Sequence, residues 1–402
     1  MFQNSLNDRG GRVEWAMVLA LLGLMGIGTA FIYSATANND SFRQLIWYRQ
    51  PAFKQVAFYF LGLCGGATLC LVSYRRLARW SLVIYWVTIL LLGLVLVPSI
   101  GSKVFGARRW IELGFFNFQP SEFAKVACIL VQGHYLSRPE EELRSPRVFL
   151  KALVLTVLPF VLILEEPDLG SALVLLPITL VMMFTAGVPV KHLRRLITGT
   201  GLLVILIVVD VLFAPVKLRL PMEDYQRDRL RVYFGRDFAP RSDTAAERQR
   251  QYALQQSKSY NVEQALISVG SGGLTGKGWR QGTQNALGYL PRAVAHNDFI
   301  FSVIAEEKGF VGSMVVLTLY GAVLFTGLRT AGQARDRLGK LLAVGVVTLL
   351  FSHVFINIGM NIRIVPVTGI PLPLLSYGGS SVLGSLVAIG LLQNVYLYRK
   401  TY

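Results

Sequence analysis

The sequence predicts an all-α polytopic membrane protein of about ten transmembrane helices, with one large extracytoplasmic loop between the seventh and eighth. Three observations predict it. Of 402 residues, 53 % are hydrophobic and only 16 % charged, where a soluble chain of this size keeps roughly a quarter charged. The apolar residues gather in repeated runs of about 18 to 25, each long enough to cross a hydrocarbon core of about 30 Å. The mean hydropathy is +0.49, and a soluble fold would have to bury every one of those runs in a single core near the size at which cores stop growing.

In chain order the spans fall at roughly 14–35, 55–73, 78–97, 121–136, 150–165, 169–187, 194–213, 299–327, 341–360 and 377–397. The fourth to sixth are bounded by ionisable residues, Glu122 and Lys125 in one case and the Glu165–Asp168 cluster in the others. The first run is too long for a cleavable signal peptide and has no small-residue cleavage site of the usual kind. Orientation follows from the basic residues of the short loops. One set of loops holds about 18 of them, running from Arg9 and Arg12 through Arg75, Arg138, Lys191 and Arg335 to Arg399 and Lys400, against about 7 in the opposite set (Arg43, Arg49, Lys54, Lys103, Arg108, Arg109 and Arg363). With an even number of spans, both termini are then cytoplasmic and the segment 214–298 lies outside. The whole chain, 1–402, reads as one membrane domain. Within the loop, residues 223–251 are polar and charged, while 260–279 mix a short amphipathic stretch with a glycine run. A loop of that length outside a bundle is usually functional or disordered, and its aromatic and apolar content argues for order and function.

Several function classes fall away. The net charge of +17 is scattered over short loops and forms no dense patch, which argues against nucleic acid as a partner. Cys64, Cys70 and Cys128 lie in apolar runs without metal-ligand spacing and read as small buried hydrophobes. The run Gly270-Ser271-Gly272-Gly273 lacks the Lys-Ser/Thr ending of a P-loop and sits outside the cytoplasm, which argues against an ATP site.

Ionisable groups close to membrane spans are costly and are therefore functional candidates. In residues 106–125 (GARRWIELGFFNFQPSEFAK), Pro120 suits a helix start and Glu122 and Lys125 share one face. They make either a local ion pair at the membrane edge or two groups pointing into a polar cavity that opens outward. Arg108 and Arg109 are positive against the topological trend, which suits an anionic ligand such as a phosphate. The cluster Glu165-Glu166-Pro167-Asp168 must be solvated, protonated or bridged by a cation. It is either a tight exposed turn or a magnesium or manganese site, with Asp168 and Glu165 as hard oxygen ligands. In His296-Asn297-Asp298-Phe299, an aspartate entering an apolar helix is either its N-cap or a partly desolvated general base. Pro366–Ser381 holds too much proline and glycine for a regular helix, and irregular backbone at membrane depth survives only under cover of protein or water.

Taken together, GARRW with FQPSEFAK, EEPDLGS, DYQRDRL, ISVGSGGLTGKGW with GTQ, HNDFIFSVIAEE and PVTGIPLPLLSYGGSS resemble the SEDS family (shape, elongation, division and sporulation). They occur in the family's order from about residue 100 to 385, and Tyr33-Ser34-Ala35 in the first span fits as well. GKGW followed by GTQ is more similar to the RodA elongation branch than to the FtsW division branch. This chain departs from the family's pattern in having Asn297 where threonine is usual, and in a longer Pro291–Asp298 connection.

The resemblance implies a peptidoglycan glycosyltransferase in the cytoplasmic (inner) membrane of a bacterium, polymerising lipid II at the membrane's outer face. It assigns the catalytic role to Asp298. Among substrate-binding residues it carries the family's Pro-Ser-Glu and Lys pair onto Glu122 and Lys125, and its Pro-Asp-Leu-Gly aspartate onto Asp168. Arg108, Arg109, Lys277 and His296 complete the expected substrate-binding set, with magnesium or manganese as cofactor and a class B penicillin-binding protein, a transpeptidase, as partner. The departing polyprenyl pyrophosphate requires cationic stabilisation, and the acceptor hydroxyl requires a base. Two other classes compete: a lipid flippase, which should show repeated halves and a midplane site, and a non-catalytic scaffold, which should tolerate loss of Asp298.

Overall fold

The structure, a computed structural model, describes residues 13–37, 42, 44–104, 107–114, 116–214, 224–235, 259–290 and 294–400. Ten long helices dominate it: α1 (Trp15–Ala37), α2 (Pro51–Cys70), α3 (Ser81–Leu96), α4 (Pro120–Leu136), α5 (Pro146–Glu165), α6 (Leu169–Ala186), α7 (Val190–Phe213), α8 (Ile300–Gln333), α9 (Arg337–Asn361) and α10 (Gly379–Leu397). Each overlies one of the ten apolar runs. Among the described residues, eight of these helices are long and apolar enough to cross a membrane. The other two fall short for different reasons. Helix α3 is apolar but only 16 residues long. Helix α4 has 17 residues and carries Glu122, Lys125 and Gln132, all buried inside the bundle.

Local chemistry sets the helix ends. Helices α2, α4 and α5 each begin on a proline, whose fixed φ and missing N–H suit a first turn. Helix α6 stops at Gly187, which takes the left-handed conformation at φ 91°. Helix α9 is the centre of the bundle, packed against α4, α6, α8 and α10 with 72 % of its apolar window enclosed, whereas α7 is peripheral with 6 % enclosed. Helices α2 and α10 run against each other closely enough that a Cβ on Gly390 would sit 2.6 Å from the Gly66 Cα. In lipid, where apolar surfaces gain little by meeting, such backbone proximity is what holds two helices together.

Helix α8 is interrupted at Gly309 (φ 62°, ψ −157°). The glycine-rich stretch 273–278 fills the interruption: Lys277 N–H donates to the Glu306 carbonyl at 3.0 Å, Gly278 N–H to Glu307 at 3.0 Å, and Phe310 N–H to Gly273 at 2.9 Å. Gly276 fits only without a side chain, because a Cβ there would lie 2.2 Å from the Glu307 carbonyl. The glycine run is thus a backbone graft that satisfies the groups freed by the break.

Two features depart from the sequence reading. Residues 101–118 form a small antiparallel sheet in the order β1 (Gly101–Val104), β2 (Ala107–Glu112), β3 (Asn117–Phe118), an exception within an otherwise helical fold. Of the cysteines only Cys128 is buried; Cys64 faces outward, because a helix facing lipid is apolar on its outer surface too. Of the long segment 214–298, residue 214, the helix Asp224–Phe234 with Gly235, residues 259–290 with a helix over 259–271, and residues 294–298 are described. The charged stretch 236–258, and residues 291–293 of the Pro291–Asp298 connection, lie outside the described residues.

Candidate active site

Asp298 closes a compact turn in which its own N–H and that of Phe299 both reach the Val294 carbonyl, at 3.0 and 3.3 Å. Helix α8 starts two residues later at Ile300, with Phe299 at its N-cap position and no side-chain cap among the described residues. The N-cap reading of Asp298 is therefore removed. Its main chain is fixed from both sides. Tyr377 N–H donates to the His296 carbonyl at 2.9 Å and Ser376 Oγ to that of Asn297, so the irregular stretch 362–378 clamps the turn. The Asp298 carbonyl accepts from Asn357 and Asn361 of α9, at 3.0 and 3.1 Å. What remains free is the half-buried carboxyl, turned to a cavity with Gly369 beside it.

That cavity has a volume of about 850 Å³. Its walls bring together the turn before α8, the 363–381 segment, the sheet and the helix Asp224–Phe234. Four basic side chains (Lys54, Arg109, Arg229 and Arg363) line it against two acidic ones (Asp228 and Asp298), so the lining favours an anionic ligand. Burial raises the Asp298 carboxyl from 3.8 to about 6; Arg229 and Arg109 pull it down and Asp168 pushes it up, but desolvation wins. A carboxylate tuned to that range suits general-base work near neutral pH.

The helix Asp224–Phe234 roofs the cavity. Arg227 pairs with Asp210 of α7 at 3.4 Å, both buried. Arg229 donates to the Thr368 carbonyl at 3.1 Å, Tyr233 to that of Ile364 at 2.7 Å, and Arg363 reaches back to Val232 at 3.3 Å.

The other residues singled out from sequence divide sharply. Arg109 lines the cavity and stands 3.9 Å from Asp168. Arg108 does not line it: neighbours on a strand face opposite ways, and Arg108 donates to the Leu96 carbonyl at 3.2 Å. Asp168 is the N-cap of α6, accepting from Ser171 N–H at 3.1 Å and from Gln119 and Ser121 at 3.0 and 3.2 Å. Its oxygens are thereby largely engaged. Glu165 is exposed, and it is Glu166 that turns inward next to Asp168. Burial, reinforced by Asp168, raises Glu166 to about 9, and among the described residues neither of its oxygens has a hydrogen-bond partner.

Glu122 and Lys125 do form an ion pair, at 2.6 Å, but inside the bundle and not on the cavity wall. His353 closes the group, with its Nε2 3.0 Å from Lys125 Nζ. Since an ammonium only donates, that nitrogen accepts and the ring proton sits on Nδ1. Lys277 is also away from the cavity lining, held by Glu306 and Thr283, each at 2.6 Å. His296 is buried against Phe42 and Tyr377. Among the described residues no group of three His, Cys, Asp or Glu side chains is arranged to hold a metal.

Sequence reasoning passed over Arg229, Arg363 and Lys54 as site residues. Arg229 lies in the quoted DYQRDRL segment, but nothing in its spacing says that this helix folds back over Asp298. Arg363 sits at φ 59°, a strained backbone that only the fold reveals.

Fold and cavity define a polytopic membrane protein with a cation-lined site, holding a half-buried carboxylate, at one end of its bundle. The family model described as "cell cycle protein", built on FtsW, RodA and SpoVE, matches residues 14–401. The chain belongs to this family, the SEDS proteins, and is a bacterial membrane protein. It is 34 % identical to the peptidoglycan glycosyltransferase MrdB of Escherichia coli (strain K12), over 96 % of this chain and 93 % of that one. It is 33 % identical to the peptidoglycan glycosyltransferase RodA of Treponema pallidum (strain Nichols), over 95 % and 97 %. Among solved structures it is similar to a chain of a peptidoglycan synthase complex described for its structural coordination of polymerization and crosslinking, with TM-score 0.75, 29 % identity and coverage of 97 % and 99 %.

Proposed function

We propose that this protein is a peptidoglycan glycosyltransferase of cell elongation, which polymerises lipid II into β-1,4-linked glycan at the outer face of the cytoplasmic membrane. The observation that carries the reading is the Asp298 carboxyl, raised to about 6 on the wall of a cavity with four cationic side chains. Similarity to proteins named for that activity, at 34 % and 33 % identity over nearly the whole chain, supports it.

The acceptor sugar's 4-hydroxyl gives its proton to Asp298 as it attacks the donor's anomeric carbon. The bond to the pyrophosphate breaks on the opposite face, inverting an α-linked donor to a β-linked product. Pyrophosphate leaves with little need for protonation, so one carboxylate suffices where hydrolases use two. The negative charge that develops on it is met by Arg109, Arg229, Arg363 and Lys54. Arg109 and Arg229 also hold the base below where burial alone would put it, which keeps it ionised at working pH.

For a magnesium or manganese ion, the ligand pair read from sequence does not fit: Glu165 is exposed and Asp168 is engaged by Gln119, Ser121 and Ser171. No step is assigned to such an ion through these residues. In this reading the basic-residue bias puts both termini in the cytoplasm and the 214–298 loop outside, and the partner is a class B penicillin-binding protein that cross-links the new glycan, in keeping with the synthase complex above. Purified protein given lipid II and a divalent cation, with and without that transpeptidase, should yield glycan polymer on a gel. No polymer under either condition, from folded protein, would overturn the assignment.

A further inference from the structure

Helix α9 presents two buried asparagines one turn apart to the main chain of the catalytic turn. Asn357 Nδ2 donates to the Asp298 carbonyl at 3.0 Å and to the Ile370 carbonyl at 2.8 Å. Asn361 Nδ2 donates to the same Asp298 carbonyl at 3.1 Å, and its Oδ1 accepts from Ser302 Oγ at 2.6 Å. Ser302, Asn357 and Asn361 are all fully buried. Residues four apart on a helix lie on one face, so the two amides converge from one side and fill both lone pairs of a single carbonyl.

The arrangement is asymmetric in a useful way. Asn357 spends its two amide protons on two different segments, the turn carrying Asp298 and the 366–376 stretch. Gly369 of that stretch lies against the Asp298 carboxylate: a Cβ on it would be 3.6 Å from Oδ2. One side chain therefore ties the base to the wall it faces. Asn361 cannot flip its amide without turning its oxygen onto the Asp298 and Asn357 carbonyls, which only accept, so these two carbonyls set which end donates and Ser302 Oγ holds the remaining oxygen.

We infer that Asn357 and Asn361, with Ser302 holding the latter, are positioning residues that hold Asp298 at the distance the acceptor hydroxyl requires. Neither asparagine is among the residues that line the cavity. Both bear on the chemistry by fixing Asp298, Asn357 also holding the wall beside it through the Ile370 carbonyl, so the inference rests on Asp298 being the base. Displacement of a reacting group by about 1 Å costs on the order of a hundredfold in rate without weakening binding, and that is the signature expected here.

The test is steady-state polymerisation by full-length wild type, Asn357→Ala, Asn361→Ala, Ser302→Ala and Asp298→Asn, with lipid II varied and the Tm of each recorded in the same detergent. Asn357→Ala and Asn361→Ala should lose about tenfold or more in kcat with KM within about twofold of wild type. Ser302→Ala, the mildest change, should lose a few-fold in kcat with KM again unmoved; it decides the matter where an asparagine variant does not fold. Wild-type kcat in the folded variants, or a loss carried wholly by KM, overturns the inference. An inactive Asp298→Asn beside fully active asparagine variants removes the positioning role and leaves the base assignment standing. Full activity in Asp298→Asn removes both.

Discussion

Glu122 and Lys125 are a 2.6 Å ion pair with side chains 4 % and 1 % exposed, in the interior of a bundle whose outer surface is apolar. Two charges in such a place are costly to desolvate, and they persist because each satisfies the other, with His353 taking a further proton of the ammonium. Helix α9 carries His353 as well as the two asparagines that bind the Asp298 carbonyl, so the pair is packed against the same helix that supports Asp298.

Removing one charge of that pair should therefore damage the fold more than the chemistry. Lys125→Met leaves Glu122 buried without a counter-charge, and a loss of about 3–5 kcal/mol is expected. Thermal unfolding followed by size exclusion in detergent reads it. Glu122→Leu combined with Lys125→Met should recover much of the loss, because the uncompensated charge is gone. A single Lys125→Met variant as stable as wild type would contradict the account.

Asp298→Asn should separate stability from activity. The folded protein binds the Asp298 proton more tightly than the unfolded chain, since its carboxyl is raised from 3.8 to about 6. The folded state thus gains from protonation, and that advantage is lost as pH rises through about 6. At pH 7.5 the wild type bears the cost of a buried charge that asparagine does not, so the variant's stability should equal or exceed wild type by about 1–2 kcal/mol. Polymer formation should nevertheless be abolished. A variant that is inactive only because it unfolds would not bear on the base assignment, and the Tm distinguishes the two.

The same shift fixes a pH dependence for the reaction. The base works ionised, so kcat/KM should fall on the acid side with a midpoint near 6, about ten times fewer active molecules per pH unit below it. A flat profile down to pH 5 would mean that no group of this kind limits the rate.

The ten helices were legible in the sequence because lipid enforces a simple rule: a run of apolar residues long enough to span is a helix. Asp298 was legible too, as an acid entering an apolar segment. What the sequence could not show is which neighbours it gathers. Arg108 and Arg109 are adjacent and alike, and only the strand places one in the cavity and the other against Leu96. Arg229 is separated from Asp298 by 69 positions in the chain (298 − 229) and reaches it through a fold-back held by the Arg227–Asp210 pair. The sequence sets Lys277 among the expected substrate-binding residues, but the glycine run before it serves the break in α8, and Glu306 takes the lysine.

The acidic turn before α6 gives a prediction by charge state. Glu166 is fully buried, with both oxygens unpartnered among the described residues, and sits at about 9, raised by burial and by Asp168. At pH 7.5 it is a neutral carboxylic acid. Glu166→Gln preserves shape and neutrality and should leave stability and polymerisation within about twofold of wild type. Asp168→Asn changes a different kind of group, a helix cap with an arginine 3.9 Å away, and should cost about 0.5–2 kcal/mol of stability. Equal sensitivity at both positions would mean that Glu166 is charged and has a partner of its own.

Arg229 and Arg108 offer the sharpest contrast, because residue type and formal charge are the same. Arg229 lines the cavity and lowers the Asp298 pKa, while Arg108 turns to the end of α3. Arg229→Gln should therefore do two things at once. It withdraws a cation from the departing pyrophosphate, at a cost of about tenfold to a hundredfold in kcat/KM. It also removes a charge that stabilises the Asp298 carboxylate, so the acid limb of the pH profile should move above 6. Arg108→Gln should do neither, leaving the rate within about twofold and the limb where it was. A loss of rate in Arg229→Gln without movement of the limb would confine Arg229 to substrate binding. Movement of the limb without the loss would mean that the pyrophosphate lies elsewhere in the cavity, nearer Lys54 and Arg363.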